Sequence, residues 1–128
     1  MEQFSTDAKT LERMAVMLKA MADPNRLRIM NVLMDGESCN CEFVDSLGLP
    51  ANLLSHHLHV LKKAGLVDSR HDAIDRRWIY YSVNEDAVAQ WNQWWGQFFD
   101  TSRIQHCKKL CGPEGQLMPV DPQHVVLK

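Results

Sequence analysis

Residues 47–67 of this chain read LGLPANLLSHHLHVLKKAGLV. A turn at Gly48–Pro50 separates two helical segments, and Gly65 ends the second of them. Three leucines of the second segment recur at helical spacing, namely Leu54, Leu58 and Leu61. This spacing predicts a helix over 51–64 with one buried face, and a shorter helix over 40–47 precedes the turn. Two short helices joined by a glycine-containing turn predict a helix-turn-helix.

The outer face of the 51–64 helix is rich in hydrogen-bond donors and has no carboxylate. Its residues are Asn52, Ser55, His56, His59 and Lys63. Base edges and phosphates in the major groove of DNA present many acceptors, so we predict that these five residues contact DNA. A zinc cluster of His56, His57 and His59 is the alternative, which their place on a DNA-facing helix disfavours.

A hairpin is predicted after this helix. Two strand-like segments, 66–71 and 76–83, are joined by residues 72–75. Arg70, Arg76 and Arg77 bracket the tip, where we expect contacts to phosphates. The net charge of the chain is −2, yet residues 52–82 hold five basic against three acidic side chains. The charge distribution therefore predicts a locally positive face of modest strength.

The remaining helices predict an oligomer. Five residues over about 7–22 share a helical apolar stripe: Leu11, Met14, Ala15, Leu18 and Met21. Asp23–Pro24 begins a second helix that runs to Asp35–Gly36. A fifth helix after Asn84 carries five rings: Trp91, Trp94, Trp95, Phe98 and Phe99. A chain of 128 residues has little core left for these rings, so we predict a homodimer through the first and fifth helices.

Several classes of protein are disfavoured. No run approaches the ~18 apolar residues of a membrane span, and the first residues are polar and acidic, so we expect a soluble, cytoplasmic protein without a membrane partner. The sequence shows no nucleophile–base pair, no glycine-rich phosphate loop and no CxxC motif. A regulator is thus preferred to an enzyme, with a small thiol-dependent enzyme as the remote alternative.

The four cysteines form two close pairs, Cys39/Cys41 and Cys107/Cys111. In a cytoplasmic protein such pairs indicate metal binding or redox chemistry. The first pair spans the start of a helix, whose N-terminus favours the thiolate. The second pair has helical i, i+4 spacing and would share one face. As(III) or Sb(III) takes three thiolates and Cd, Pb or Zn three or four, so we expect the second pair to complete the site, within one subunit or across the dimer.

The order of these elements resembles the ArsR–SmtB family of metal-responsive repressors over roughly residues 8–111. The most specific segments are 47–67 and 22–29, the latter reading ADPNRLRI. Residues 37–43, ESCNCEF, are similar to the family's ELCVCDL box, which marks arsenite and Cd/Pb sensors. Ser38 and Asn40 depart from that box, while both of its cysteines are present.

The resemblance implies a mainly helical winged helix-turn-helix with a β-hairpin wing. It implies a homodimer that binds operator DNA and leaves it when As(III) or Sb(III) binds among Cys39, Cys41, Cys107 and Cys111. The expected domains are 1–111, for DNA binding, dimerisation and sensing, and a partly disordered tail, 112–128. A Cd-, Pb- or Zn-responsive repressor is one alternative. A thiol redox or persulfide switch is another, although such relatives carry a cysteine in the second helix, where this chain has Asn31.

Overall fold

The computed structural model describes residues 7–105. The elements in chain order are α1 (Ala8–Met21), α2 (Pro24–Met34), β1 (Ser38–Cys39), α3 (Asn40–Leu47), α4 (Ala51–Lys63), β2 (Val67–His71), β3 (Ile79–Val83) and α5 (Glu85–Phe98). The chain divides into two compact units between Phe98 and Phe99, and the second contains a 3₁₀ turn at Thr101–Arg103. The predicted domain boundary after residue 111 lies outside the described residues.

Local capping explains where the helices begin and end. Asp7 accepts a hydrogen bond from the Thr10 amide at 2.7 Å, so α1 starts after it. Asp23 caps α2, because its Oδ1 accepts hydrogen bonds from the amides of Asn25 and Arg26 at 2.8 and 3.2 Å. Proline at the first position of α2 has no N–H that needs a partner. At the end of α3, Gly48 adopts a left-handed φ of 66°. The predicted bounds of the first four helices are confirmed to within a residue or so.

The core lies between α2, α3 and α4. Ile29, Phe43 and Leu61 are fully buried, one from each helix. Leu54 and Leu58 are each only 2% exposed, which confirms the predicted core face of α4. Burial of such a side chain contributes roughly 1.5–3 kcal/mol, so this contact between three helices fixes the helix-turn-helix geometry.

Helix α1 carries apolar side chains on two faces, one buried in the core and one exposed. Met14, Met17 and Ala20 are buried, whereas Leu11 and Leu18 are 39% and 45% exposed. Three residues of the predicted stripe face outward: Leu11, Ala15 and Leu18. Periodicity reveals an apolar stripe, but it does not say whether the same chain or a partner covers it.

The wing is a three-stranded antiparallel sheet in the order β1-β3-β2. The strand β1 was not predicted, because two residues show no periodicity. The prediction of a strand from residue 76 was wrong, since β3 starts at Ile79. Asp72 accepts the amides of Ile74 and Asp75 at 2.8 and 3.0 Å, and this turn extends the tip through Arg77.

A helix-turn-helix followed by a hairpin that packs at its end is a winged helix-turn-helix, so the predicted fold class is confirmed. Over residues 7–105, no helix is both long and apolar enough to cross a membrane.

Candidate DNA interface and dithiol site

The outward face of α4 presents all five predicted DNA contacts to solvent. Asn52, Ser55, His56, His59 and Lys63 are exposed. They lie on the side of α4 opposite its buried leucines, because the helix turns about 100° per residue. A groove of about 420 Å³ between α1 and α4 adds Lys19 to the same surface, next to His59 and Lys63. Sequence alone did not reveal Lys19, since its place depends on how α1 packs.

The middle histidine of α4 serves a different purpose. His57 is 5% exposed, and the Arg26 Nη1 lies 3.1 Å from its Nδ1. Arginine only donates, so His57 accepts at Nδ1 and carries its proton on Nε2. Arg26 also donates from Nε to the Ala20 carbonyl at 2.6 Å. Arg26 therefore joins α1, α2 and α4, and we call this set the Arg26 clamp.

The histidine cluster alternative finds no support in the geometry. His57 is engaged by Arg26, and in the part of the chain that the structure describes no three His, Cys, Asp or Glu side chains group around a possible metal position. His56 and His59 stay predicted DNA contacts.

The three wing arginines differ in whether an acidic side chain pairs with them. Arg70 forms a two-pronged ion pair with Glu37, at 2.6 and 3.0 Å. Arg77 pairs with Asp75 of its own turn at 2.8 Å. Arg76 is exposed, and within residues 7–105 its side chain has no hydrogen bond or ion pair. Arg76 is thus the wing cation most ready to meet a phosphate.

An apolar wing tip was also missed by the sequence analysis. Ile74 is 97% exposed and Trp78 is 48% exposed, on either side of the two tip arginines. Ile74 lies in the predicted turn, where apolar side chains are uncommon, whereas Trp78 lies in the predicted second strand, so only Ile74 gave a signal.

Cys39 and Cys41 form a dithiol at the junction of β1 and α3. Their Sγ atoms are 2.7 Å apart, farther than the ~2.05 Å of a disulfide bond, so both are free. Cys39 is 4% exposed and occupies the N-cap of α3, whereas Cys41 is exposed in its first turn. The pair therefore presents two adjacent sulfurs, one of them open to solvent.

The thiolate expected at this helix start is opposed at Cys41. The hydrogen bond shared with Cys39 raises the pKa of the Cys41 thiol, and desolvation adds to this effect. The backbone amides of Glu42 and Cys41 lower the pKa, as a helix N-terminus should, but they do not prevail. The lowering of the pKa expected from the helix start is therefore present at Cys41, but the hydrogen bond with Cys39 outweighs it.

Soft cations fit this donor set. Two thiolates repel each other, and a thiophilic ion bound to both would remove that repulsion. The described residues supply two sulfurs and no third ligand beside them. Cys107 and Cys111 lie outside the described residues, and their predicted part in the site stays a prediction.

An exposed donor-rich helix, a wing with two arginines at its tip and a buried helix-turn-helix core together define a winged-helix DNA-binding protein that carries a dithiol beside its wing. Comparisons with known proteins then give the family. Residues 23–69 match the family model "Bacterial regulatory protein, arsR family". The chain is 39% identical over 80 residues to an uncharacterized HTH-type transcriptional regulator of Methanocaldococcus jannaschii, covering 62% of this chain and 86% of that protein.

A solved structure and a second relative agree with this match. HlyU from Vibrio cholerae N16961 has a TM-score of 0.60 and 30% identity, over 73% of this chain and 99% of that one. The cadmium resistance regulatory protein CadC of Listeria innocua is 36% identical over 66 residues, which is 51% of this chain and 53% of CadC. This chain thus spans about half the length of that CadC. The chain belongs to the arsR family of transcriptional regulators.

Proposed function

We propose that this protein is a repressor that leaves its operator when As(III) or Sb(III) binds the Cys39/Cys41 dithiol. The observation that carries the proposal is the pair of adjacent sulfurs, 2.7 Å apart, at the start of α3. Helix α3 is joined to α4 by a turn of three residues, so a change at the dithiol lies one short helix from the DNA-facing surface. Cys107 or Cys111 supplies the third sulfur that trivalent arsenic requires.

The free protein acts as a homodimer in this proposal. The outward stripe of α1, Leu11, Ala15 and Leu18, supports it, because a monomer gains nothing from exposing these side chains. Helix α5 supports it as well. None of its residues is buried, although Trp91, Trp95 and Phe98 stack edge-to-face with ring centroids 5.1 and 5.4 Å apart.

Two copies of α4 then read successive major grooves of a near-palindromic operator, about 34 Å apart. Asn52, Ser55, His56, His59 and Lys63 meet bases or phosphates, and Arg76 and Arg77 meet phosphates at the wing. Arg70 joins them only where its ion pair with Glu37 opens. The free thiols are consistent with the reducing cytoplasm that we propose as its location.

The proposal ranks arsenite above cadmium, lead and zinc because three sulfurs suffice for arsenic. CadC, a cadmium resistance regulator, is similar to this chain over 66 residues, so cadmium is the next ion to test.

One titration tests the ligand and the output together. Reduced protein on a fluorescent operator is titrated with arsenite, Cd(II) or Zn(II) while thiolate-to-metal absorption and operator release are followed. We expect arsenite to release the operator at one equivalent per site, and we expect Cys39→Ser/Cys41→Ser protein to stay bound. Release of that double variant by arsenite would refute the proposal. Cys107→Ser/Cys111→Ser protein shows separately whether the second pair completes the site.

Oxidation of the same dithiol is the second candidate, and the short Sγ–Sγ distance favours it. Hydrogen peroxide would take two electrons and two protons from Cys39 and Cys41, leaving a disulfide and water. Mild peroxide treatment followed by peptide mass spectrometry decides. A crosslink involving Cys39 or Cys41 that abolishes operator binding supports this candidate, whereas full binding by crosslinked protein rejects it.

A further inference from the structure

The three strands of the wing place one residue of each side by side. Cys39 of β1 pairs with Tyr80 of β3, and Tyr80 pairs with Arg70 of β2. Residues directly opposite one another in a sheet project from the same face, so these side chains form a lateral row. The Arg70 guanidinium carbon lies 4.6 Å from the Tyr80 ring centroid, as this arrangement requires. We call it the Cys39–Tyr80–Arg70 row.

The row is bonded to the wing tip through the hydroxyl of its middle residue. Tyr80 donates to Asp72 Oδ2 at 2.9 Å. The other oxygen of Asp72 accepts the amides of Ile74 and Asp75, the bonds that close the turn. The shape of the wing tip therefore depends on an aspartate that Tyr80 holds in place.

Glu37 joins the two outer strands directly. It lies two residues before Cys39 and reaches across β3 to Arg70 with two hydrogen bonds, at 2.6 and 3.0 Å. In the sheet order, β3 lies between these two residues. The segment that bears the dithiol is thus coupled to β2 both through Tyr80 and by the Glu37–Arg70 ion pair.

The opposite face of the sheet offers no comparable route to the tip. There Tyr81 pairs with Ser38 and Ser69, and its ring meets Phe43 edge-on at 6.3 Å between centroids. Phe43 is fully buried, so this row belongs to the core. The two adjacent tyrosines of β3 therefore have different roles: Tyr80 contacts the wing turn, whereas Tyr81 packs against the core. Each is a control for the other.

We propose that Tyr80 is a positioning residue that conveys occupancy of the Cys39/Cys41 dithiol to the DNA-binding wing. This inference rests on the proposed function, because it needs a ligand at the dithiol. When Cys39 and Cys41 share a ligand, β1 shifts against β3, and Tyr80 moves with its strand partner. Asp72 then loses the Tyr80 hydrogen bond that orients its carboxylate, the wing turn loosens, and the wing contact to DNA weakens.

Phenylarsine oxide is a suitable probe, because its arsenic forms two As–S bonds with a dithiol. Its oxygen leaves as water with the two thiol protons. The first readout is hydrogen–deuterium exchange over residues 67–83 with and without the probe. The second is the coupling factor, which is the operator dissociation constant with the probe divided by that without it.

The matched variants are Tyr80→Phe and Tyr81→Phe. In wild-type protein we expect the probe to raise exchange over 67–83. Tyr80→Phe should bind the probe as wild type does, yet lose about fivefold in the coupling factor. Tyr81→Phe should keep the wild-type factor. Glu37→Gln should act like Tyr80→Phe, whereas Asp75→Asn, which removes an ion pair within the turn, should not.

The outcomes separate this inference from the proposed function. A probe that binds Cys39 and Cys41 and releases the operator equally well from Tyr80→Phe protein overturns the role of Tyr80 alone. A probe that does not bind the dithiol overturns the proposed function and this inference together. If Tyr80→Phe protein does not fold, the comparison of Glu37→Gln with Asp75→Asn decides in the same way.

Discussion

Helix α4 and the wing both carry predicted DNA contacts, but they hold their polar side chains in opposite ways. The outward residues of α4 are exposed, and within residues 7–105 none of them forms an ion pair. In the wing, Arg70 is paired with Glu37 and Arg77 with Asp75. Among residues 7–105, the outward side chains of α4 therefore carry no ion pair, whereas two of the three wing arginines, Arg70 and Arg77, are already paired. In the proposed function, this difference makes the wing the part whose contact with DNA is regulated.

The largest expected effect tests how firmly the buried face of α4 holds this helix in place. Leu61 is fully buried on α4, whereas Leu53 of the same helix is 37% exposed. Leu61→Ala should lower the free energy of unfolding by about 2–5 kcal/mol, because it leaves a cavity between packed helices. Leu53→Ala should change it by no more than about 0.5 kcal/mol. Urea unfolding followed by circular dichroism measures both, and equal losses would contradict the assigned core face.

The Arg26 clamp should give the next largest effect. Arg26→Ala removes the bonds to His57 and to the Ala20 carbonyl, leaving two part-buried acceptors without this donor. We expect a loss of about 1.5–3 kcal/mol in the free energy of unfolding. Arg28→Ala is the control, since Arg28 is exposed and, among residues 7–105, its side chain bonds only Asn25 and the Leu47 carbonyl. An Arg28→Ala loss as large as that of Arg26→Ala would show that the clamp has no special role.

The two arginines of the wing tip, Arg76 and Arg77, test whether ion pairing reduces the contribution of a wing residue to DNA binding. Arg76→Ala should weaken operator binding and reduce the salt dependence of log K by about 0.9, as expected for one lost phosphate contact. Arg77→Ala should have the smaller effect, because Asp75 already neutralises Arg77. Fluorescence anisotropy at several salt concentrations measures both slopes. If Arg77→Ala reduces the salt dependence more than Arg76→Ala does, the ion pair between Arg77 and Asp75 opens when the protein binds DNA.

The smallest expected effect is a local loosening of the wing turn when Asp72 is protonated at low pH. Amides of Asp75 and Ile74, and the Tyr80 hydroxyl, donate to Asp72 and lower its pKa below the ordinary 3.8. A carboxyl whose pKa is lowered by folding stabilises the fold above its unfolded pKa, and this stabilisation is lost as pH falls through the folded value. We expect the protection factors of the Ile74 and Asp75 amides to fall below about pH 4. Asp72→Asn, which cannot titrate, should show no such step, and a step that persists in Asp72→Asn would exclude Asp72 as its origin.

The sequence predicted the parts of the fold that local chemistry determines. Helices α2 to α4 have caps, turns and leucine spacings within a few residues of each other, so their bounds followed directly. Contacts between distant residues did not follow. Glu37 and Arg70 are 33 positions apart, and β1 exists only because β3 is there to pair with it. The apolar stripe of α1 was predicted, but which of its residues the chain itself buries depends on how α1 packs against distant elements.

The candidate site was predictable in part. The spacing of Cys39 and Cys41 indicated a dithiol, and the structure brings their sulfurs together. The raised pKa of Cys41 was not foreseen, because it arises from the orientation of the neighbouring thiol rather than from the helix start. The link from Cys39 to Tyr80 required the register of the sheet.

The most direct test of the whole account is the reciprocity of its two binding events. If arsenite at Cys39/Cys41 lowers operator affinity by some factor, operator DNA must lower arsenite affinity by the same factor. Arsenite affinity is measured by calorimetry with and without saturating operator, and operator affinity by anisotropy with and without saturating arsenite. The account predicts two equal factors well above one, which become one in Cys39→Ser/Cys41→Ser protein. Arsenite affinity that is unchanged by bound operator would contradict it.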